Sequence, residues 1–386
     1  MRFYDIIGSE EFKKSLASSI DNGRIPHAQI FEGRHGYQSL SYALAYATYL
    51  NCTSPTGGDA CGKCNSCLKN SVLQHPDVYF IYPVGVPMGK KGKKEDYISA
   101  DFIELWRKQI LESLPLGCFS ENEWYTVSGI GGEKGNSQGS IGRSEADYIM
   151  EQMSYSPIDG GFRVFVIWLP ERMNNSAANA LLKLFEEPSD KTVFLFVSEQ
   201  PSQVLPTILS RAQSITIPAV SGEALYAFIR EKFQLEEMAA RAIVAAANGD
   251  ISEAVRMLTS HETDNAELEL FVSLTRRCYA ANIDAILEWV EEFITLNKEQ
   301  QKKFFREAAD VLRSSFMMNI GVGELSYCYG AEMDFVKNFH KVIGVRNIEP
   351  VIGEFERAFK ELSANGNARI VVTHFALTLI SKLKIK

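Results

Sequence analysis

Five short, almost unbroken apolar runs constrain this chain more than any other feature. They are "AQIFEG" (Ala28–Gly33), "VYFIYP" (Val78–Pro83), "FRVFVIWLP" (Phe162–Pro170), "KTVFLFVSEQ" (Lys191–Gln200) and "QSITIP" (Gln213–Pro218). A strand with one wet face alternates apolar and polar residues. These runs do not, so both faces must be covered, as in a parallel sheet wrapped by helices. Helix-like runs lie between several of them. "NNSAANALLKLFEEP" puts Ala178, Leu181, Leu182 and Phe185 on one stripe at i, i+3, i+4, i+7. Asn175 or Ser176 is placed to cap its start, and Pro188 marks its end. The alternation predicts an α/β domain over residues 1–218.

Beyond Ser221 the strand signal stops. "SGEALYAFIREKFQ", "EEMAARAIVAAANGD" and "DISEAVRMLTS" read as short helices, with Asn248-Gly249 as a stop. Longer helical runs follow to the end. This predicts a small helical module at 219–262 and an all-α domain at 263–386. One segment, about 84–142, interrupts the α/β pattern. Its Gly, Ser and Lys content, including "GKKGKKE", reads as a partly disordered surface excursion carrying one helix-like run, "SADFIELWRKQILESL". The basic "KKGKK" is a solvated loop or a phosphate contact.

With 46% hydrophobic and 23% charged residues over 386 positions, the chain is long and apolar enough to build several cores. Its net charge of -8 repels a nucleic-acid backbone, so any contact with DNA needs a local patch or basic partners. The N-terminus lacks the basic-then-apolar pattern of a signal peptide, and no run is long enough to span a bilayer. A cytoplasmic protein with no membrane association is expected.

Four of the seven cysteines, Cys52, Cys61, Cys64 and Cys67, have the spacing C-x8-C-x2-C-x2-C. Thiolates this close in "CGKCNSC" can face one cation, and four of them satisfy a closed tetrahedral Zn²⁺ site with no position left for water. An iron-sulfur cluster also uses C-x2-C-x2-C, but its run continues to a downstream Cys-Pro that is missing here. Buried thiols are the remaining reading. Cys118, Cys278 and Cys328 are scattered, and read as core or surface thiols.

"FEGRHGYQSLS" has the outline of a phosphate loop, with an apolar approach, Gly33 and Gly36, then a helix. In the pattern G-x-x-x-x-G-K-[ST], counted from Gly33, the second Gly falls on Gln38, the Lys on Ser39 and the Ser/Thr on Leu40. Neither the cation for phosphate nor the hydroxyl for Mg²⁺ is present. A Cβ at Gln38 makes a left-handed backbone there costly. Weak anion binding by backbone N–H groups is left open.

The pieces "GRIPHAQIFEG", the Gly loop, the Cys insertion, "HPDVYFI", "NNSAANALLKLFEEP" and "LPTILSRAQSITI" occur in an order that resembles the bacterial clamp-loader family of the AAA+ class. The resemblance covers residues 1–218; the rest matches in architecture, as a helical lid and an all-α collar for oligomerisation. It implies membership of the DNA polymerase III assembly, with ATPase subunits (gamma/tau) and a delta subunit as partners. The sliding clamp and primer-template DNA would be met through that assembly.

The family's ATP-hydrolysing gamma/tau branch and its delta-prime branch look alike over these motifs. Three departures favour a subunit that does not hydrolyse ATP. The first is the loop. The second is the acidic pair expected to hold Mg²⁺, which falls on Leu169 and Pro170, with Glu171 one residue late. The third is the nucleotide-sensing Arg of the lid, whose place is taken by Ser252, with Arg256 a turn later. The resemblance also implies that Arg211, in "LSRAQ", is an arginine finger reaching into a neighbour's ATP site; Ala212 departs from the family's Cys there. A gamma/tau-like ATPase with atypical residues is the alternative. His27 is expected to pack or hydrogen-bond, and Lys183 to lie on a solvated face or at a subunit contact.

Overall fold

The computed structural model describes residues 1–90, 92–93, 96–113, 119–130, 138–259, 266–321, 330–364 and 366–384. The chain forms two compact units, one of Met1–Ala240 with Ala247–Val255, the other of Arg241–Ala246 with Arg256–Lys386.

The first unit is built on five strands, β1 (Ala28–Glu32), β2 (Val78–Ile81), β3 (Arg163–Trp168), β4 (Thr192–Ser198) and β5 (Gln213–Thr216). They pair in the order β2-β3-β4-β1-β5, all parallel. The apolar runs thus became the strands, and burial explains why they are unbroken. In β3, Val164, Val166 and Trp168 face one core, while Phe165 and Ile167 face the other. Every residue of β3 and β4 is buried. β5 departs from the expected cover on both faces: as an edge strand, three of its four residues are exposed.

On one face lie α1 (Glu10–Asp21) and α2 (Ser39–Leu50), and on the other α6 (Arg143–Ser154), α7 (Asn175–Glu186) and α8 (Pro206–Leu209). All twelve residues of α2 are buried, which is why it is apolar all round. Its Tyr42, Tyr46 and Tyr49 meet Phe12, Phe31 and Phe3 edge-on. Across the sheet, Phe185 of α7 stands edge-on to Phe194 and Phe196. The α7 cap differs from expectation. Asn174, not Asn175 or Ser176, accepts from the Ala177 amide at 2.8 Å. Its own amide is held by the Ile141 carbonyl, which fixes it in the extended conformation a cap requires.

The segment 84–142 corrects the expectation of a surface excursion. Its helices α4 (Ile103–Ser113) and α5 (Glu121–Ser128) bring Trp106 and Trp124 into a buried aromatic cluster with Tyr82, Phe119 and Trp168. The Trp124 indole donates to the Pro83 carbonyl at 2.8 Å. Both oxygens of buried Glu145 accept from Ser99, and Tyr82 Oη donates to the Ser99 carbonyl at 2.6 Å. The Gly/Ser/Lys signal arose from the connections. Residues 91, 94, 95, 114–118 and 131–137, which hold Cys118, part of "KKGKK" and part of the Gly-rich run, lie outside the described residues.

After β5 the chain continues with α9 (Gly222–Phe233), α10 (Glu237–Ala247) and α11 (Ile251–Thr259). The second unit carries α12 (Ala266–Ala280), α13 (Ile283–Phe293), α14 (Lys298–Asn319), α15 (Gly330–Phe339), α16 (Ile348–Ser363) and α17 (Ala368–Leu383). They pack around an aromatic core that includes Phe271, Trp289, Phe293, Phe305, Phe355 and Phe375. Cys278 is buried there, with its thiol pushed up to about 12 by desolvation, as fits a core residue. Cys328 lies outside the described residues. No helix among the described residues is long and apolar enough to cross a membrane.

Candidate functional site

The loop between β1 and α2 keeps the strand-loop-helix layout of a phosphate loop at the C-terminal edge of the sheet. Gly33 is pressed against Ser39, whose Oγ would lie 2.3 Å from an added Cβ. Gly36 has φ +85°. Gln38, expected to resist a left-handed backbone, adopts one with φ 62° and ψ 26°. The reason is its side chain. Gln38 is buried, its Nε2 donates to the Ile7 carbonyl at 2.5 Å, and its Oε1 accepts from the Ile7 amide at 3.4 Å. Two hydrogen bonds offset the strain of about 1–2 kcal/mol that a side chain brings to this conformation. Ser39 and Leu40 are buried in the first turn of α2, and Ser39 Oγ has no hydrogen-bond partner.

Carboxylates surround this loop. His35 Nδ1 lies 3.3 Å from Glu199 Oε1 at the end of β4, and that hydrogen bond raises the imidazole pKa against the opposing effect of burial. Asp250 packs on Gly36, so a side chain there would collide with its Oδ1, and the Ile251 amide donates to the Gly36 carbonyl at 3.3 Å. Burial raises the Asp250 pKa. Glu171 follows the left-handed turn at Leu169. Its carboxylate accepts from Ser198 Oγ at 3.0 Å and from the Glu199 and Gln200 amides, both at 3.1 Å. Those bonds turn Glu171 toward the end of β4, while burial raises its pKa. Beside it, Arg172 makes two hydrogen bonds to Glu121 of α5, at 2.6 and 2.8 Å, tying the 84–142 segment to this turn. Ser252 Oγ is buried without a partner, and Arg256 pairs with Glu307 of α14 at 3.6 Å. Glu199 and Asp250 escaped sequence reasoning. A charged residue directly after a buried parallel strand was the available signal for Glu199.

Arg211 lies at the opposite edge of the sheet. It precedes β5, whose Gln213 is level with Gln29 at the start of β1, whereas Gly33 follows the end of β1. At about 3.3 Å per residue, the four steps from Gln29 to Gly33 put the loop roughly 13 Å along the strands from the start of β5, which Arg211 precedes. The Arg211 guanidinium is half-buried. Its Nε donates to Glu186 Oε1 at 2.7 Å, its Nη2 also contacts Glu186, and its Nη1 donates to the Thr207 carbonyl at 2.9 Å and to Ser210 Oγ at 3.0 Å.

The four cysteines converge. One sulfur from each of Cys52, Cys61, Cys64 and Cys67 lies within 4.8 Å of the others, and the pair Cys61–Cys67 is 3.9 Å apart. Tetrahedral sulfurs at a Zn–S bond of about 2.3 Å are about 3.8 Å apart, so the donor set fits that ion. Cys52 follows the C-cap of α2, Asn51; Cys64 caps α3 (Asn65–Ser71), and Cys67 sits inside α3. Backbone amides point at the sulfurs, with Cys61 N on Cys52, Lys63 N and Cys64 N on Cys61, and Cys67 N on Cys64. The amides of Lys63 and Cys64 lower the Cys61 pKa. Burial opposes the Cys64 thiolate, but the Cys67 amide and Thr53 outweigh it and bring that pKa to about 6. Burial raises Cys52 and Cys67. The cluster could hold a metal ion. Asp59 anchors it to the N-terminus by accepting from the Phe3 and Tyr4 amides at 3.1 and 2.8 Å. Of the minor candidates, the His27 side chain is exposed while its carbonyl accepts from Phe194, and Lys183 is exposed on α7.

Comparison with known proteins gives this geometry its context. The chain is 24% identical over 249 residues to DNA polymerase III subunit delta' of Bacillus subtilis, covering 64% of this chain and 59% of that protein. It is 26% identical over 209 residues to DNA polymerase III subunit gamma/tau of Mycobacterium tuberculosis strain H37Rv, covering 54% of this chain and 27% of that one. The matched part is therefore less than two thirds of either relative. A DNA polymerase III gamma subunit-related protein from Thermotoga maritima has a solved structure similar over 96% of this chain and 99% of its own, with a TM-score of 0.41 and 15% identity. A family described as "DNA polymerase III, delta subunit" matches residues 8–221, more than half of the chain. The chain belongs to this family of clamp-loader subunits.

Proposed function

We propose that this chain is a subunit of the replicative clamp loader that does not hydrolyse ATP and acts on its neighbour's nucleotide through Arg211. One observation carries the reading. The two positions that should hold the phosphate cation and the Mg²⁺ hydroxyl are Ser39 and Leu40, both buried in α2. Three hydrogen bonds already engage Glu171, the acid one residue after Leu169 and Pro170, where the Mg²⁺-holding pair is expected. The placement of Arg211 before β5, at the opposite end of the strands from its own loop, supports a finger in trans. Guanidinium suits the task, being always charged, planar and multidentate. The partners would be gamma/tau ATPase subunits and a delta subunit, joined through the collar at about 263–386, with the lid at 219–262. The assembly would load the sliding clamp onto primed DNA. Zn²⁺ would be held by Cys52, Cys61, Cys64 and Cys67 as a closed structural centre with no role in the chemistry.

Two measurements test this. The isolated chain with ATP and Mg²⁺ should release no phosphate above background; robust turnover would restore the gamma/tau-like ATPase reading. In the assembly reconstituted with ATPase subunits, Arg211→Ala should slow hydrolysis without preventing assembly.

A further inference from the structure

In the second unit a cleft of about 740 Å³ lies between the end of α12, the loop joining α15 to α16, and the end of α17. Three cations line it, Lys341, Arg346 and Lys384, beside the apolar groups of Tyr279, Val345 and Leu383. No carboxylate is among its described lining residues. In a chain of net charge -8 this is a local reversal of sign. Tyr279 and Val345 are 59% and 72% exposed, so large apolar groups face solvent next to the charges. Lys341 and Lys384 make no ion pair among the described residues.

The loop that presents these groups is braced. Buried Asn347 accepts from the Gly344 amide at 2.8 Å and donates to the Val342 carbonyl at 2.7 Å, and Ile343 is fully buried beneath. A braced loop loses little conformational freedom when a ligand arrives. On α12, Arg276 and Tyr279 are three residues apart and share a face, so positive charge continues along the helix from the cleft.

We infer that this cleft is a docking site for a short acidic peptide segment bearing an aromatic or large aliphatic anchor, supplied by a partner protein. The cations match its carboxylates, and Tyr279, Val345 and Leu383 match its anchor. A nucleic acid is the other polyanion to weigh. Its charge runs well beyond the cleft and meets the acidic remainder of the chain, whereas a short peptide senses only the field within a Debye length of about 8–10 Å. The cleft also has one aromatic side chain, Tyr279, where single-strand grooves stack successive bases on several.

The test uses the full chain and two fluorescent probes, a Glu-Asp-Glu-Phe-Asp-Glu peptide and a twelve-residue oligothymidylate, read by anisotropy. The peptide should bind, weaken as salt is raised, and weaken by roughly ten-fold or more in the double variant Lys341→Glu/Lys384→Glu. Val345→Asp, which keeps all three cations, should also weaken it by repelling the anchor. Circular dichroism of each variant confirms its fold, and if the double variant unfolds, Val345→Asp decides. No peptide binding, equal binding by parent and folded variants, or tighter binding of the oligonucleotide would each overturn the inference.

Discussion

Arg211 in the isolated chain is engaged with Glu186, and its proposed role requires it to leave. Its side chain is 28% exposed and that of Glu186 49% exposed, so solvent screens the pair. An exposed ion pair of this kind is worth about 0.2–1 kcal/mol. Giving up the hydrogen bonds to the Thr207 carbonyl and Ser210 Oγ costs about 1–3 kcal/mol more. A trans finger contributes roughly 10³–10⁵ in rate, which corresponds to about 4–7 kcal/mol in the transition state. Under the proposed role the finger would outweigh its resting contacts, and Glu186 would act as a weak holder. The assay is phosphate release by the reconstituted assembly under single-turnover conditions at the ATP site next to this chain. Arg211→Ala should lower that rate by roughly 10³-fold or more, while shifting the isolated chain's stability by about 1–4 kcal/mol at most. Arg211→Lys should restore little, because an ammonium lacks the planar fork. Glu186→Gln removes the ion pair and should change the rate by at most about five-fold. If Arg211→Ala turns over at the parental rate in an intact assembly, the finger assignment is wrong. If Glu186→Gln is as damaging as Arg211→Ala, the pair is itself the functional element and the energy comparison fails.

Other outcomes follow from the same geometry. Elemental analysis should find about one zinc per chain, and Cys67→Ser should lose it and destabilise the N-terminal segment held by Asp59. Trp124→Ala, which empties the centre of the aromatic cluster and orphans the Pro83 carbonyl, should cost about 3–5 kcal/mol in urea unfolding; a cost near zero would mean that 84–142 does not pack. Burial raises the Glu145 pKa from 4.5 to about 7, so the folded chain holds a proton there that the unfolded chain releases. Its stabilising contribution is fully present below about pH 4.5 and lost as pH rises through about 7. Urea midpoints measured across that window should fall with pH for this group, and Glu145→Gln should flatten that part of the profile.

Much of the α/β unit was legible because its strands are buried on both faces, which writes an unbroken apolar signature into local sequence. The same holds for Cys52, Cys61, Cys64 and Cys67, three of which fall within seven consecutive residues and the fourth just past the preceding helix. The insertion was misread because Gly, Ser and Lys in its connections masked Trp106 and Trp124, whose partners Tyr82 and Trp168 stand just past β2 and at the end of β3. Gln38 was misjudged because a local rule about Cβ ignores two hydrogen bonds to Ile7, thirty-one residues away.

By itself the sequence determined which residues are strands, which thiols can share an ion, and that Ser39 and Leu40 stand where a phosphate loop carries Lys and Ser/Thr, since these depend on residue type and short spacing. Tertiary structure alone decided the rest. It set β5 beside β1, and so put Arg211 and Gly33 at opposite edges of one sheet. It turned Glu171 into an acceptor for the end of β4, and laid Asp250 over Gly36. It gathered Lys341, Arg346 and Lys384 from two distant stretches into one cleft. Charge and hydrogen-bonding capacity belong to the residue, but their use depends on neighbours brought close by packing the whole chain.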